Sequence, residues 1–234
     1  MKKKIRKQKK YIEIEPEPDS DDTFYFIADY TDGGSPYGVT WGEIISQELY
    51  IRPAMKKDAK SAFELIHTAI GDIAEQLTGQ TKTENIRKTM SEFFLLENNR
   101  LSYQNMIVAD VLGEVAGIII TYTGEDALHL DEPILNRLRK KMRNDRLFFD
   151  KETDVGDFYI YTVSVNSKFQ GHGIGTRLLV EAERKAIHKN FHRITLNVSR
   201  DNPSAKKLYS NLGYEVEKQI QINGHPYDYM VKKV

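Results

Sequence analysis

The sequence predicts an α/β (α+β) fold: a central mixed, mostly antiparallel sheet, flanked by helices and containing one parallel strand–helix–strand crossover. Two pairs of apolar strands closed by short turns, at 106–122 and 214–232, specify antiparallel hairpins. An apolar strand at 158–165, a glycine-punctuated turn, an amphipathic helix at 174–188 and a strand at 194–198 spell the crossover. Ahead of the first hairpin, Ala59, Phe63, Ile66, Ile70 and Ile73 recur at helical spacing.

Taken in order, residues 1–22 join a basic run, MKKKIRKQKK, to an acidic one (Glu13, Glu15, Glu17, Asp19, Asp21, Asp22), the pattern of a solvated, disordered tail. Residues 23–48 form an aromatic-rich appendage around a turn at 33–38, and its Phe24, Tyr25, Phe26, Tyr30, Tyr37 and Trp41 would gain from docking on the main domain or a partner. Thr40 and Glu43 have capping-box spacing, with Val39 and Ile44 as a hydrophobic staple, so a short helix starts at Trp41. The main domain is 49–234. It opens with a strand at 49–52, then the helix running to Ile73, then a second helix at a Thr81/Glu84 capping box. The first hairpin turns near Leu112-Gly113. The connection 124–156 carries a helix capped by Asp131, with Pro133 in its first turn, and a basic cluster (Arg137, Arg139, Lys140, Lys141, Arg143) read as a solvated face. After the crossover, Asn202-Pro203 opens a last helix stopped at Gly213, and the final strands turn through 223–226.

Composition narrows the chemistry. Lysine plus arginine (34) balance aspartate plus glutamate (34), which argues neither for nor against nucleic acid, although the basic tail leaves such a contact open. There are no cysteines, so disulfides, thiolate zinc sites and cysteine nucleophiles are excluded together, and a reducing cytoplasm is the expected setting. No apolar run approaches the roughly 18 residues of a membrane span, and none follows the basic start, so neither a membrane partner nor an ordinary signal peptide is expected. His188 and His192 have metal-like spacing, but Lys189-Asn190 ends the helix between them and no metal is expected.

The strongest local signal is Gln170-Gly171-His172-Gly173-Ile174-Gly175-Thr176 between strand and helix. Glycines let a phosphate approach the backbone, and the free N–H groups at a helix start make an anion site. The dinucleotide fingerprint wants glycine or alanine where Thr176 stands and an acid where Val198-Ser199 stand; the Walker loop needs a Gly-Lys-Ser/Thr that is absent. Two readings remain: a purely structural turn, and a site for a pyrophosphate carried by something other than NAD or a P-loop nucleotide.

At this point the sequence resembles a family. Val163-Ser164-Val165 followed by Gln170-x-x-Gly173-x-Gly175 looks like the acetyl-CoA signature of the GNAT superfamily of N-acetyltransferases, and Asn202-x-x-Ala205-x-x-Leu208-Tyr209-x-x-Leu212-Gly213-Tyr214 looks like its second half. Ile51-Arg52-Pro53-Ala54 and the helix after it resemble the usual opening. The resemblance covers 49–234; the first 48 residues lie outside it, and the 124–156 connection is longer than the family minimum. It implies acetyl-CoA as co-substrate, with the backbone around Val163 and Val165 pairing the pantetheine arm. The amides of Gln170, Gly171, His172, Gly173, Ile174, Gly175 and Thr176 would hold the pyrophosphate, and Asn202 and Ala205 would line the far side of the cleft. Tyr209 is similar to the general acid that protonates the departing thiolate.

The residues themselves leave the base open. Asp157, at the start of the strand leading into the site, is one candidate; Tyr159 or Tyr161 could order a water, and His225 could line the acceptor mouth. The expected function is direct transfer of acetyl from acetyl-CoA to a primary amine of a small molecule or protein. The alternatives are a non-catalytic acyl-CoA-binding regulatory module and a nucleic-acid-associated acetyltransferase; a homodimer is also left open.

Overall fold

The computed structural model describes residues 23–234, and the tail expected at 1–22 lies outside them. The chain divides into two units between Gln47 and Glu48. In the first, β1 (Phe24–Tyr30) and β2 (Pro36–Thr40) pair antiparallel, and α1 (Trp41–Glu48) follows. Only the turn and the helix were foreseen here; the sequence reading did not resolve the two strands. The capping box of α1 is formed: Thr40 N donates to Glu43 Oε2 (2.9 Å) and Glu43 N to Thr40 Oγ1 (3.2 Å). The Trp41 and Tyr25 rings meet edge to face at 5.0 Å.

The second unit is a seven-stranded sheet in the order β3-β4-β5-β6-β7-β9-β8. Its strands are β3 (Leu49–Pro53), β4 (Met106–Val111), β5 (Glu114–Thr123), β6 (Phe158–Val165), β7 (Arg193–Ser199), β8 (Glu215–Ile222) and β9 (His225–Lys233). All neighbours pair antiparallel except β6 and β7, which are parallel and joined by α6 (Ile174–His188). Side chains alternate between the faces of β5. Ile118, Ile120 and Tyr122 belong to a core shared with α2 (Ala59–Ile70), α4 (Thr83–Leu95) and α5 (Ala127–Met142), whereas Thr121 accepts from Lys185 of α6 on the other face. Gly117 allows α6 to lie that close, since a Cβ there would stand 3.0 Å from Ser164 O and 3.1 Å from Leu178 Cδ1.

Three expected helix boundaries are corrected. The first helix stops at Ile70, where Gly71 (φ 54°) turns the chain, so Ile73 opens a separate helix, α3 (Ile73–Thr78). The Thr81/Glu84 box does not form: α4 begins one residue later than that box would place it, at Thr83, with Lys82 at its N-cap and no side-chain cap. Asp131 does not cap a helix. α5 starts at Ala127, where Thr123 Oγ1 donates to Asp126 Oδ2 (2.7 Å) and accepts from Asp126 N (3.2 Å), and this places Pro133 inside the helix. Asp131 is instead buried against Arg100. The basic cluster on α5 is partly engaged: Arg137 donates to Thr89 Oγ1 and Arg139 to Leu147 O. The last hairpin closes through two residues, Asn223 (φ 54°) and Gly224 (φ 74°), which leaves His225 and Pro226 in β9 rather than in the turn. α7 (Pro203–Asn211) lies between β7 and β8 in sequence.

Candidate active site

β6 is paired unequally on its two sides. Against β5 it runs from Phe158↔Thr123 to Val165↔Gly117, but against β7 only Phe158↔Ile194, Tyr159↔Thr195 and Ile160↔Leu196 are paired. On the β5 side the register slips by one residue, from Thr121↔Ile160 to Ile120↔Thr162, so Tyr161 is a bulge. Bulges bend the strand that carries them. β7 meanwhile stays with β9 as far as Ser199↔Tyr227. The two parallel strands therefore fork at their carboxyl ends, and 161–165 presents a backbone edge with no strand beside it among the described residues.

Both helices that follow these strands start at the fork. Gly173 (φ 75°) is the N-cap of α6, and Gly171 (φ 80°) precedes it; neither has a heavy atom within 4 Å of where a Cβ would stand. The first amides of α6, from Ile174 through Thr176, have no partner within the helix. Gly175 abuts β6, with 3.7 Å between its Cβ position and Val165 Cγ2, and Gln170 Nε2 donates to Val165 O (3.1 Å). His172 is half-buried in the same loop. On the β7 side, Asn202 caps α7, its Oδ1 accepting from Ala205 N at 3.0 Å. Val163, Val165 and the loop 170–176 thus lie on one side of the fork, and Asn202 and Ala205 start the helix on the other.

Tyr209 sits on α7, half-buried, with its ring edge-on to Tyr214 at 6.2 Å. Burial pushes its phenol up to about 12, so it carries its proton at neutral pH. Lys206 Nζ, one turn earlier, pairs with Asp228 of β9 at 2.6 Å and ties the helix to the sheet.

Asp157 is not brought to the fork. It lies at the closed end of the β6–β7 pair, fully buried, where Arg193 Nε donates to Oδ1 at 2.7 Å and Tyr229 OH donates to Oδ2. Four strand residues, about 13 Å, separate it from Tyr161. Its carboxylate ties the starts of β6 and β7 to the middle of β9.

What does stand at the fork is a buried polar nest that sequence reasoning saw only in part. Tyr159 OH donates to Glu152 Oε2 (2.9 Å) and accepts from Asn197 Nδ2 (2.9 Å). Arg100 donates to Glu152 Oε1 (2.6 Å) and Asp131 Oδ1 (2.5 Å), and its guanidinium lies over the rings of Tyr161 (4.9 Å) and Phe149 (5.3 Å). Burial opposes the Arg100 charge, but Glu152, with Tyr122, Tyr161 and Asp131, outweighs it and holds the guanidinium well above its ordinary range. Burial, reinforced by the Glu152 charge, raises Tyr159 well above the usual phenol range. The buried Asn197 Oδ1 and Tyr122 OH have no partner among the described residues. Asn197 had a sequence signal, an amide inside an apolar strand; Arg100, Tyr122 and Glu152 had none. His225 is exposed, 3.9 Å from Asp72.

Comparison with known proteins decides the family. The acetyltransferase (GNAT) family profile matches residues 70–214. The chain belongs to the GNAT acetyltransferase family. A crystal structure described as an acetyltransferase shares the GNAT fold of this chain with a TM-score of 0.67 and 34% identity, over 79% of this chain and 99% of the other. The N-acetyltransferase of Staphylococcus aureus Mu50 gives 0.69 and 25%, over 78% and 100%. Among curated proteins, N-alpha-acetyltransferase 40 of Saccharomyces cerevisiae is 39% identical over 70 residues, 27% of this chain and 25% of that protein. Human N-alpha-acetyltransferase 30 is 36% identical over 62 residues, 26% and 17%. The matches thus span a quarter or less of these curated relatives.

Proposed function

We propose that this GNAT protein transfers the acetyl group of acetyl-CoA directly to a primary amine of its acceptor, without an acyl-enzyme. The observation that carries the reading is the fork of β6 and β7 with a helix N-terminus on each side. The residues present fit CoA. The open edge at Val163 and Val165 can pair an amide-bearing pantetheine arm, the unobstructed positions at Gly171 and Gly173 admit a pyrophosphate, and the amides through Thr176 can hold it. Asn202 and Ala205 face it from the start of α7.

Bound there, the thioester supplies an activated acyl group. The chain does the rest. Backbone N–H groups of 163–165 donate to the negative charge that develops on the carbonyl oxygen under attack. As the amine–carbonyl bond forms and the C–S bond breaks, Tyr209, a phenol that holds its proton at neutral pH, donates it at the departing sulfur, and the proton shed by the amine passes through water to solvent and restores the phenol. The names of the curated relatives support an α-amine as the acceptor group.

Two measurements test the reading. Calorimetry should show CoA binding far more tightly than NAD or ATP, and Gly173→Glu, which adds a side chain and a charge at a positive-φ position on the anion path, should abolish it. Acetyl-CoA-dependent thiol release should appear with amine acceptors. CoA binding undiminished in folded Gly173→Glu contradicts the assignment of the loop.

A further inference from the structure

The 124–156 connection is the part of the chain that exceeds the family minimum, and it builds one wall of a cavity of about 310 Å³. Ile73 and Leu77 of α3, Leu135 and Leu138 of α5, and Phe149 of the connection supply apolar walls, while Arg100 and Glu152 stand among them as the polar groups of the buried nest. Met142 and Phe148, also on the lining, are large apolar side chains left 58% and 77% exposed, as at a mouth rather than in a core. The volume is at the lower end of small-molecule sites and suits one bulky side chain.

Its electrostatics select a sign. Arg100 is the cation of the lining, yet it is already paired with Glu152 and, off the lining, with Asp131, and Asp150 adds a second acid to the lining beside Glu152. The balance is negative, so an ammonium is favoured there and a carboxylate is not. The position is equally specific. Glu152 is one hydrogen bond from each of two residues, Tyr159 through its carboxylate and Asn197 through its backbone carbonyl, which stand beside the last paired residues, Ile160 and Leu196, before β6 and β7 part. A group held at Glu152 is therefore adjacent to the fork, with the apolar walls next to it.

We propose that this cavity is the acceptor subsite, that it takes a bulky apolar side chain, aliphatic or aromatic, carried next to the reactive amine, and that Glu152 receives the amine as a hydrogen-bond acceptor. The inference rests on the transferase reading for its reaction, but its recognition chemistry is separable from it. Small side chains leave the walls wet, and acidic ones bring a carboxylate towards Glu152 and Asp150.

The test is calorimetry on the full chain, with CoA present, using leucinamide, glycinamide and N-acetyl-leucinamide as probes, alongside thiol release with the two free amines. Leucinamide should bind at least tenfold more tightly than glycinamide, and N-acetyl-leucinamide, which cannot present an ammonium, should lose most of that affinity. Ile73→Trp, filling the cavity from the half-buried side of α3, should remove the advantage of leucinamide. Ile73→Ala should shift preference towards phenylalaninamide and keeps the test valid if the larger residue prevents folding. Equal binding of leucinamide and glycinamide, or a ranking that neither variant changes, overturns the subsite. Preferential binding with no turnover on any amine leaves the subsite standing and removes the transferase reading; turnover with no preference does the reverse.

Discussion

A phenol proposed to protonate a thiolate must still hold its proton when the thiolate forms, and Tyr209 does so at neutral pH, since an ordinary phenol titrates near 10 and burial raises this one further. Tyr209→Phe preserves the ring and its contact with Tyr214 while deleting the proton, so CoA affinity should stay within a few-fold while turnover falls by roughly 10- to 1,000-fold. Steady-state rates at saturating acetyl-CoA, with a single-turnover measurement to exclude slow product release, check this. Equal rates for the variant and the parent would leave the tyrosine a packing role only. The place of Tyr209 on α7 was legible because its motif fixes it relative to Asn202 and Gly213. Asp157 was misleading for the same reason that it looked attractive: an acid opening a strand into the site shows in the sequence, but its partners Arg193 and Tyr229 do not. Arg100 and Glu152 were invisible because each acquires meaning only from residues far away in the chain, as in the 52-residue separation between them.

Elements were read best where one local signal decides them. The crossover strand and helix have the expected bounds, and the first hairpin turns where Leu112 (φ 55°) and Gly113 (φ 88°) were expected to turn it. They were read worst where two local signals competed. Asp131-x-Pro133 has the form of a helix start, but Thr123 and Asp126 had already begun one, and Asp131 serves Arg100 instead. The interlock of α6 with the sheet depends on Gly117, opposite Val165. Gly117→Val would drive methyl groups against Ser164 O, Leu178 and Ile174, so the strand or the helix start must move. Stability should fall by about 1–3 kcal/mol, read as a lower urea midpoint, and CoA affinity should fall with it because the start of α6 is the anion site proposed for CoA. A variant that lost stability but bound CoA as tightly as the parent would show that the helix start is positioned by something other than this contact.

At the scale of the sheet unit as a whole, the buried phenols impose an alkaline limit. Burial raises Tyr209 and Tyr229 to about 12, and it raises Tyr122, Tyr159 and Tyr214 as well, against about 10 for a phenol in an unfolded chain. Because the folded values are the higher ones, the stability tied to these protons is fully present below pH 10 and is lost as pH rises towards 12. Thermal unfolding followed by circular dichroism should give a midpoint that falls steeply beyond pH 10, with phenolate absorbance rising in step with unfolding. Phenolate absorbance rising fully before any loss of structure would mean that these hydroxyls are open to solvent.

The bulge at Tyr161 makes the cleft depend on a count of residues rather than on their kinds. With Tyr161 the β6 ladder carries one residue more than β5 can pair, and the strand that results follows β7 for three residues before leaving it. A β6 one residue shorter at that point could run in unbroken register with β5, with no bend to turn it from β7, and could zip closed over the edge that Val163 and Val165 now present. Most of the core would be untouched. Single-residue deletion is therefore a route by which this architecture can close the fork while keeping its fold, and, on the function proposed above, a relative lacking that residue, with every side chain of the glycine loop intact, would be a folded protein with nowhere to put its donor.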